Sequence, residues 1–359
     1  MNGRKIFEEI RQNGFDCALF LDETSQFYLS DFYSTDGAVL VTAEETALLI
    51  DARYIEAAEN AKKAGELSED VHPILFTNGM FAAVSEYVSA HGIKNICTDP
   101  ALITVYQQEK AESVCEGAIF GRMSNVCLKY RRVKTPAEVE KIKKAQSITD
   151  KAFSHILGFI GKDRTEVEIA AELEYFMRSN GASGIAFDTI SVSGRNSSLP
   201  HGVPTSQKLT ENSFLTMDYG AKYGGYCSDM TRTVVLGKAD DEMKRIYNTV
   251  LTAQSEAMKY IKAGVSGIEA DKVARDVIAD AGYGEYFTHS LGHSLGILIH
   301  ELPSVSPKCA DTLVAGNIVT VEPGIYIPGK YGVRIENMVL VTEDGCENLT
   351  HSDSSLIEL

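Results

Sequence analysis

The stretch Phe214–Val235, FLTMDYGAKYGGYCSDMTRTVV, most constrains the fold of this chain. Two runs of strand-forming residues flank the turn-prone AKYGGY, which predicts a β-hairpin with its tip near Tyr223-Gly224. That register places Asp218 directly opposite Asp229. Like charges that face each other across a strand pair are destabilising, so we expect a positive group between them. The alternative leaves one aspartate in the turn and the other in solvent.

The same pattern recurs about a hundred residues later. Ile318–Gly324 repeats Phe214–Gly220 at a constant offset of 104 residues. Glu322 takes the place of the first aspartate, and Glu336 faces it in a hairpin centred on Gly329. Two such hairpins in an internally repeated chain predict two half-domains about a pseudo-twofold axis, with four acids converging where the halves meet.

Length and composition bound the class of protein. A chain of 359 residues favours two domains. The net charge of −16 and the absence of basic runs argue against nucleic acid or an anionic membrane as partner. The charged first residues do not resemble a signal peptide, and no later segment is apolar for long enough to span a bilayer. We therefore expect a cytoplasmic protein, whose seven cysteines are reduced thiols.

The order of predicted elements indicates an α/β (α+β) fold in two domains. Residues 1–128 alternate short strands with amphipathic helices, which predicts a mixed sheet. The boundary falls in an extended basic run, Lys129–Lys134. Residues 129–359 begin with a capping box at Thr135, continue with a second capping box at Thr165, and then repeat the layout of two helices followed by strands.

Three of the eight histidines lie in the segment Thr288–Glu301. His289 and His293 are four residues apart, and His300 follows. A neutral imidazole is a common ligand for first-row transition metals. One imidazole added to four carboxylates gives an oxygen-rich set, which suits manganese, iron or cobalt better than a structural zinc.

These residues resemble the pita-bread metallopeptidases, the family that includes aminopeptidase P, prolidase and methionine aminopeptidase. The run His289–Glu301 fits the signature of the aminopeptidase P and prolidase branch along its length. The resemblance implies a pseudo-twofold pita-bread catalytic domain at 129–359, behind a creatinase/prolidase-like accessory domain at 1–128. The family's order of metal ligands, Asp, Asp, His, Glu, Glu, carries over to Asp218, Asp229, His293, Glu322 and Glu336.

The resemblance also implies roles for these and other residues. Asp229 and Glu336 would bridge two divalent ions, with Mn²⁺ expected first and Co²⁺, Fe²⁺ or Zn²⁺ as alternatives. Independently of the resemblance, Arg334 stands two residues before Glu336 on the same strand face, so we expect it to orient a carboxylate or contact substrate. The remaining candidates are three histidines expected at the catalytic site: His201, His289 and His300.

The implied reaction is hydrolysis of Xaa-Pro bonds at the amino end of proline-containing peptides. A hydroxide held between the two ions would be the nucleophile, and Glu322 would move its proton to the leaving nitrogen. The family also implies a homodimer. Three alternatives remain open: a methionine aminopeptidase, a creatinase, and a non-catalytic peptide-binding relative.

Overall fold

The computed structural model describes residues 2–359. The chain divides into two compact units, one that reaches to Tyr130 and one that begins at Arg131. Across the described residues, no helix has both the length and the apolar character needed to cross a membrane.

The first unit is a six-stranded mixed sheet with helices. Its strands are β1 Cys17–Phe20, β2 Gly37–Val41, β3 Thr46–Ile50, β4 Val71–Leu75, β5 Asn95–Thr98 and β6 Ile119–Arg122. Its helices are α1 Asn2–Gln12, α2 Glu23–Ser30, α3 Ile55–Lys63, α4 Met80–Ala90, α5 Val105–Val114 and α6 Leu128–Arg131. The strand order is β4-β3-β2-β1-β5-β6, with antiparallel pairs in the middle and parallel pairs outside.

The mixed α/β character predicted for this unit is confirmed. The apolar run 38–50 forms the antiparallel pair β2 and β3, whose ten residues are all buried. One local expectation is wrong: part of the run 129–134 is helical, because α6 extends through Arg131.

The second unit contains four helices of fourteen residues or more. They are α7 Pro136–Ile156, α8 Glu166–Ser179, α9 Asp241–Tyr260 and α10 Gly267–Asp280. The strands after α8 are β7 Gly184–Ile185, β8 Ile190–Ser193, β9 Ser213–Tyr219, β10 Ala221–Tyr223, β11 Tyr226–Cys227 and β12 Met230–Leu236. Those after α10 are β13 Gly292–Ser294, β14 Glu301–Val305, β15 Ile318–Val321, β16 Gly324–Ile327, β17 Tyr331–Arg334, β18 Asn337–Val341 and β19 Cys346–Asn348.

The repeated layout of this unit agrees with the predicted half-domains. Capping boxes at Thr135 and Thr165 start α7 and α8, and a third at Ser266 starts α10. Gly181 and Gly282 follow α8 and α10 with φ of 100° and 85°, the left-handed conformation that ends a helix. The helix pair α7 and α8 packs one hydrophobic core with β9 and β12, and α9 and α10 pack another with β15 and β18.

The predicted register of the first hairpin is wrong by two residues. Asp218 of β9 pairs with Thr231 of β12, and the loop consists of Gly224 and Gly225. Both glycines have positive φ, 54° and 83°, as a two-residue hairpin loop of this type requires. The centre of the loop therefore lies one residue later than expected, which shifts each pairing partner by two residues, so the two aspartates are not directly opposite each other.

The predicted register of the second hairpin is confirmed. Val321 pairs with Asn337, and Gly324 pairs with Arg334. Both pairs are centred on Gly329, whose φ is 71°. Glu322 and Glu336 occupy the short gap between these two ladders, so they face each other as expected.

Candidate metal centre

Three side chains of the second unit bring possible metal ligands together. Asp229, His293 and Glu336 each contribute one atom to a group in which all atoms lie within 4.8 Å of one another. His293 Nε2 is 3.5 Å from Asp229 Oδ2 and 3.4 Å from Glu322 Oε1. The cluster is therefore compact enough for one imidazole and several carboxylates to reach a common cation.

One cavity of about 490 Å³ joins the cluster to the other predicted site residues. The cavity is lined by all nine candidates from the sequence: His201, Asp218, Asp229, His289, His293, His300, Glu322, Arg334 and Glu336. None of the nine lies away from this cavity. Both half-domains contribute, because the first three come from the chain before α9 and the other six from the chain after α10.

The ring of His293 is oriented by its own backbone neighbourhood. Its Nδ1 lies 3.2 Å from the carbonyl oxygen of Ser294, so Nδ1 carries the proton and donates it. Nε2 then presents a lone pair to the carboxylates, the arrangement usual for a histidine that binds a metal. Burial, together with the neighbouring His300, lowers the pKa of His293 to about 4, which keeps the ring neutral.

The carboxylates repel one another in a buried place. Burial, with the facing charge of Glu336, raises the pKa of Asp229 well above its ordinary value, and burial, with the charge of Glu322, does the same for the pKa of Glu336. Burial raises the pKa of Glu322 to about 8, although Arg334 opposes the shift. A cation placed among these groups would stabilise their charged forms and so offset all three shifts.

Two buried carboxylate oxygens of residues that line this cavity have no hydrogen-bond partner within residues 2–359. They are Asp218 Oδ1 and Glu336 Oε1. A buried acceptor without a partner costs free energy, and more so when it is charged. These orphaned atoms are what a site for divalent cations requires.

Arg334 connects the two hairpins through their acids. Its Nη2 donates to Asp218 Oδ2 at 2.6 Å, and its Nε donates to Thr231 Oγ1 at 3.0 Å. The Thr231 hydroxyl in turn donates to Glu336 Oε2 at 2.7 Å. One guanidinium thus fixes the direction of one carboxylate directly and of a second through a hydroxyl.

Tyr326 extends this network to His289 and is missing from the residues picked out in the sequence. Arg334 Nη1 donates to the Tyr326 hydroxyl at 2.7 Å, and that hydroxyl lies 2.9 Å from His289 Nε2. His289 Nδ1 lies 2.8 Å from the Ser290 carbonyl oxygen and donates to it, so the tyrosine donates to Nε2. Alternation along the strand after Glu322 was the signal that could have pointed to Tyr326.

The ring of His289 is therefore neutral, and both of its nitrogens make hydrogen bonds. Burial, and secondarily the charge of Arg334, lowers the pKa of His289 to about 4. His201 and His300 differ from it, because both are exposed at the cavity. The ring of His300 lies edge-on to His293, with centroids 4.4 Å apart. These two imidazoles are free to meet a ligand in the cavity.

Comparisons with known proteins agree with this site. Residues 140–343 match the family described as metallopeptidase family M24, and residues 4–133 match the creatinase/prolidase N-terminal domain. The chain belongs to metallopeptidase family M24.

Relatives of this M24 chain match it from end to end. It is 43% identical to a Xaa-Pro dipeptidase of Pyrococcus furiosus over 98% of both chains. The solved structure of a Xaa-Pro dipeptidase from Bacillus anthracis matches all of the chain and 98% of its own length, with 39% identity and a TM-score of 0.92. An X-Pro aminopeptidase structure from Thermotoga maritima has 35% identity and a TM-score of 0.91, covering 98% and 100%.

Membership of the M24 family makes the chain a metallopeptidase and implies divalent metal ions. The residues present fit such ions, because the orphaned oxygens of Asp218 and Glu336 lie in the same cavity as the neutral, correctly oriented imidazole of His293. Oxygen atoms dominate this donor set, as expected for the harder first-row ions.

Proposed function

We propose that this chain is an exopeptidase that hydrolyses Xaa-Pro bonds at the amino end of peptides. The proposal rests on one cavity, which is lined both by the cluster of carboxylates and an imidazole and by two exposed histidines. The choice of Xaa-Pro bonds is supported by the relatives named as Xaa-Pro dipeptidases and X-Pro aminopeptidase.

Five residues would hold two divalent ions, which we propose to be Mn²⁺. They are Asp218, Asp229, His293, Glu322 and Glu336. Bound there, such ions supply an activated water and polarise the scissile carbonyl. A carboxylate has two oxygens and suits a site shared by two ions, and Asp229 and Glu336 are the proposed bridging residues.

Glu322 is the proposed carrier of the proton. The Thr320 hydroxyl donates to Glu322 Oε1 at 3.0 Å and fixes the direction of the carboxylate. Held in this direction, the carboxylate can take a proton from the attacking water and release it to the leaving nitrogen. His201 and His300 would donate hydrogen bonds to the oxygen of the tetrahedral intermediate.

Asp188 is the proposed contact for the free amino end of the peptide. It is exposed, lines the same cavity and stands two residues before Ile190, whose Cα pairs with that of Asp218. No hydrogen bond or ion pair from residues 2–359 engages its carboxylate. An α-ammonium group carries a full positive charge near neutral pH and suits such a partner.

Metal removal and restoration test the proposal. Protein stripped with a chelator should cleave no Xaa-Pro peptide, and added Mn²⁺ or Co²⁺ should restore cleavage of Gly-Pro or of longer Xaa-Pro peptides. A Met-Ala peptide serves as the matched substrate for the methionine aminopeptidase alternative. Metal-loaded protein that leaves every Xaa-Pro peptide intact would overturn the proposal.

The proposal extends to the whole assembly. Residues 129–359 would form the catalytic domain, residues 1–128 an accessory domain, and two chains a homodimer. Sedimentation equilibrium of the metal-loaded protein tests the last point, since a mass equal to one chain of 39.2 kDa would contradict it.

A further inference from the structure

Glu166 is a buried acid at the first position of α8, and only 1% of its surface is exposed. No lysine or arginine makes an ion pair with it among the described residues. Its two oxygens instead accept five hydrogen bonds from three residues. The donors are Ser193 N at 2.6 Å, Asn196 Nδ2 at 3.2 and 3.1 Å, Thr205 N at 2.9 Å and Thr205 Oγ1 at 2.6 Å.

These donors lie at the two ends of one segment, residues 193–205, which we name the His201 loop. Ser193 ends β8, and Thr205 lies beyond the cavity-lining residues Pro200 and His201. The Glu166 carboxylate therefore holds the two ends of the loop close together. Holding the two ends together reduces the number of conformations open to the residues between them.

The ring of His201 has no anchor of its own. It is exposed, and no side chain or backbone group of the described chain makes a hydrogen bond or ion pair with it. Its direction is set by the backbone of the loop alone. The middle of the loop is also bonded to β17, because the Pro200 carbonyl accepts from Arg334 Nη1 at 3.1 Å and Ser197 Oγ accepts from Gly332 N at 3.0 Å.

A carboxylate is the group that this position needs. It offers two oxygens with about four acceptor sites and no donor, which matches a set of N–H and O–H donors. The amide of glutamine has one oxygen and would turn an NH₂ group toward other donors. The negative charge also suits the first turn of a helix.

We propose that Glu166 is a positioning residue that aims His201 at the reacting carbonyl through the His201 loop. This inference rests on the proposed function of the same cavity. Glu166 does not touch substrate, so its effect on the reaction passes through His201.

A double-mutant cycle tests the coupling. The parent, Glu166→Gln, His201→Ala and the double variant are compared as metal-loaded full-length proteins on one Xaa-Pro peptide. We expect Glu166→Gln to lower kcat by about 10- to 100-fold with little change in KM, since small misplacements of a catalytic group have effects of this size. In the His201→Ala background the same change should lower kcat less than about 2-fold. An equal loss in both backgrounds, or no loss from His201→Ala alone, overturns the inference.

Glu168→Gln is the matched control. Glu168 lies in the same turn of α8, but its carboxylate bonds to Thr165 and pairs with Arg164 rather than with the loop. This variant should keep the parent kcat. Thr205→Val, which removes one donor, serves if Glu166→Gln does not fold, and its smaller loss of kcat should also vanish without His201.

Hydrogen exchange separates this inference from the proposed function. Amides of residues 193–205 should exchange faster in Glu166→Gln than in Glu168→Gln, whether or not any peptide is cleaved. Unchanged exchange there overturns the positioning role by itself. A different result would be faster exchange in Glu166→Gln together with a parent protein that cleaves no Xaa-Pro peptide. That result would refute the proposed Xaa-Pro hydrolysis, and with it the effect of Glu166 on that reaction.

Discussion

Arg334 shows at the scale of one residue why a guanidinium is needed in this site. Its side chain makes four hydrogen bonds, to Asp218, Thr231, Tyr326 and the Pro200 carbonyl. These acceptors lie in different directions, and a planar fork with five N–H groups can reach all of them. With four of its five N–H groups engaged by the protein, Arg334 serves to orient the acids.

Arg334→Lys should weaken metal binding. A lysine ammonium can replace only some of the four bonds, so Asp218 and the tyrosine lose their fixed directions. Loss of such outer contacts typically lowers metal affinity by about 10- to 100-fold. Titration of Mn²⁺ against a competing chelator measures the change, with Arg122→Lys, at the exposed end of β6, as control. Unchanged affinity would show that the guanidinium does not orient the acids.

Asp188→Asn tests recognition of the peptide's amino end. The variant keeps the size of the side chain and loses the charge, so KM for Xaa-Pro peptides should rise about 10-fold or more while bound metal stays constant. Calorimetry on metal-free protein, which cannot cleave the peptide, should find that the parent binds Gly-Pro more tightly than its N-acetylated form and that the variant has lost this preference. Glu211→Gln, an exposed acid that does not line the cavity, should behave like the parent. A variant that still discriminates excludes Asp188 from this role.

The proposed metal-binding and catalytic residues were easier to predict from sequence than the residues that orient them. The ligand candidates follow a recognisable order of acids and a histidine, and all of them line one cavity. Tyr326 and Glu166 follow no such order. Each matters because folding brings it to groups far along the chain, such as His289 and Thr205. Sequence spacing alone does not reveal contacts of this kind.

At the scale of the elements, turn chemistry decided which hairpin could be predicted. In the second hairpin Gly329 marks the centre, and the predicted register is confirmed. In the first, the sequence offers Tyr223, Gly224 and Gly225, and the prediction placed the tyrosine in the loop. The loop requires positive φ at both positions, which a tyrosine adopts at a cost and a glycine does not. The Gly-Gly pair was therefore the better choice.

Gly220→Ala should disturb the first hairpin between β9 and β10, where the chain passes from one three-stranded sheet into another. A Cβ atom there would lie 1.9 Å from the Ser228 carbonyl oxygen, so the backbone beside Asp229 must move. Overpacking of this kind costs about 1–3 kcal/mol. Thermal unfolding should show the loss of stability, and metal titration a weaker site.

Gly345→Ala is the control for that variant, because a Cβ atom at this position meets nothing within 4 Å. It should unfold like the parent and bind metal equally well. Equal behaviour of the Gly220 and Gly345 variants would show that the close approach at Ser228 does not hold Asp229 in place.

At the scale of the whole second unit, the two halves meet through their acids. The Glu336 amide donates to the Thr231 carbonyl at 3.1 Å, and Arg334 crosses to Asp218. The four carboxylates therefore lie at the seam between the half-domains. Negative charge that is not balanced at this seam destabilises the packing of one half-domain on the other. Bound divalent ions would neutralise that charge.

Metal-free protein should accordingly become less stable as pH rises. Burial raises the pKa of Glu322 from an ordinary 4.5 to about 8, and the pKa values of Asp229 and Glu336 are raised as well. Above about pH 4.5 the unfolded chain has released protons that the folded chain still holds, so the folded state loses stability as pH rises, and the contribution of Glu322 to this loss ends once its folded form titrates near pH 8. Thermal unfolding midpoints between about pH 5 and pH 8, with chelator and with Mn²⁺, measure this. The chelated protein should show the steeper fall, and Asp229→Asn should flatten it. A midpoint that stays level or rises without metal would contradict a buried cluster of uncompensated acids.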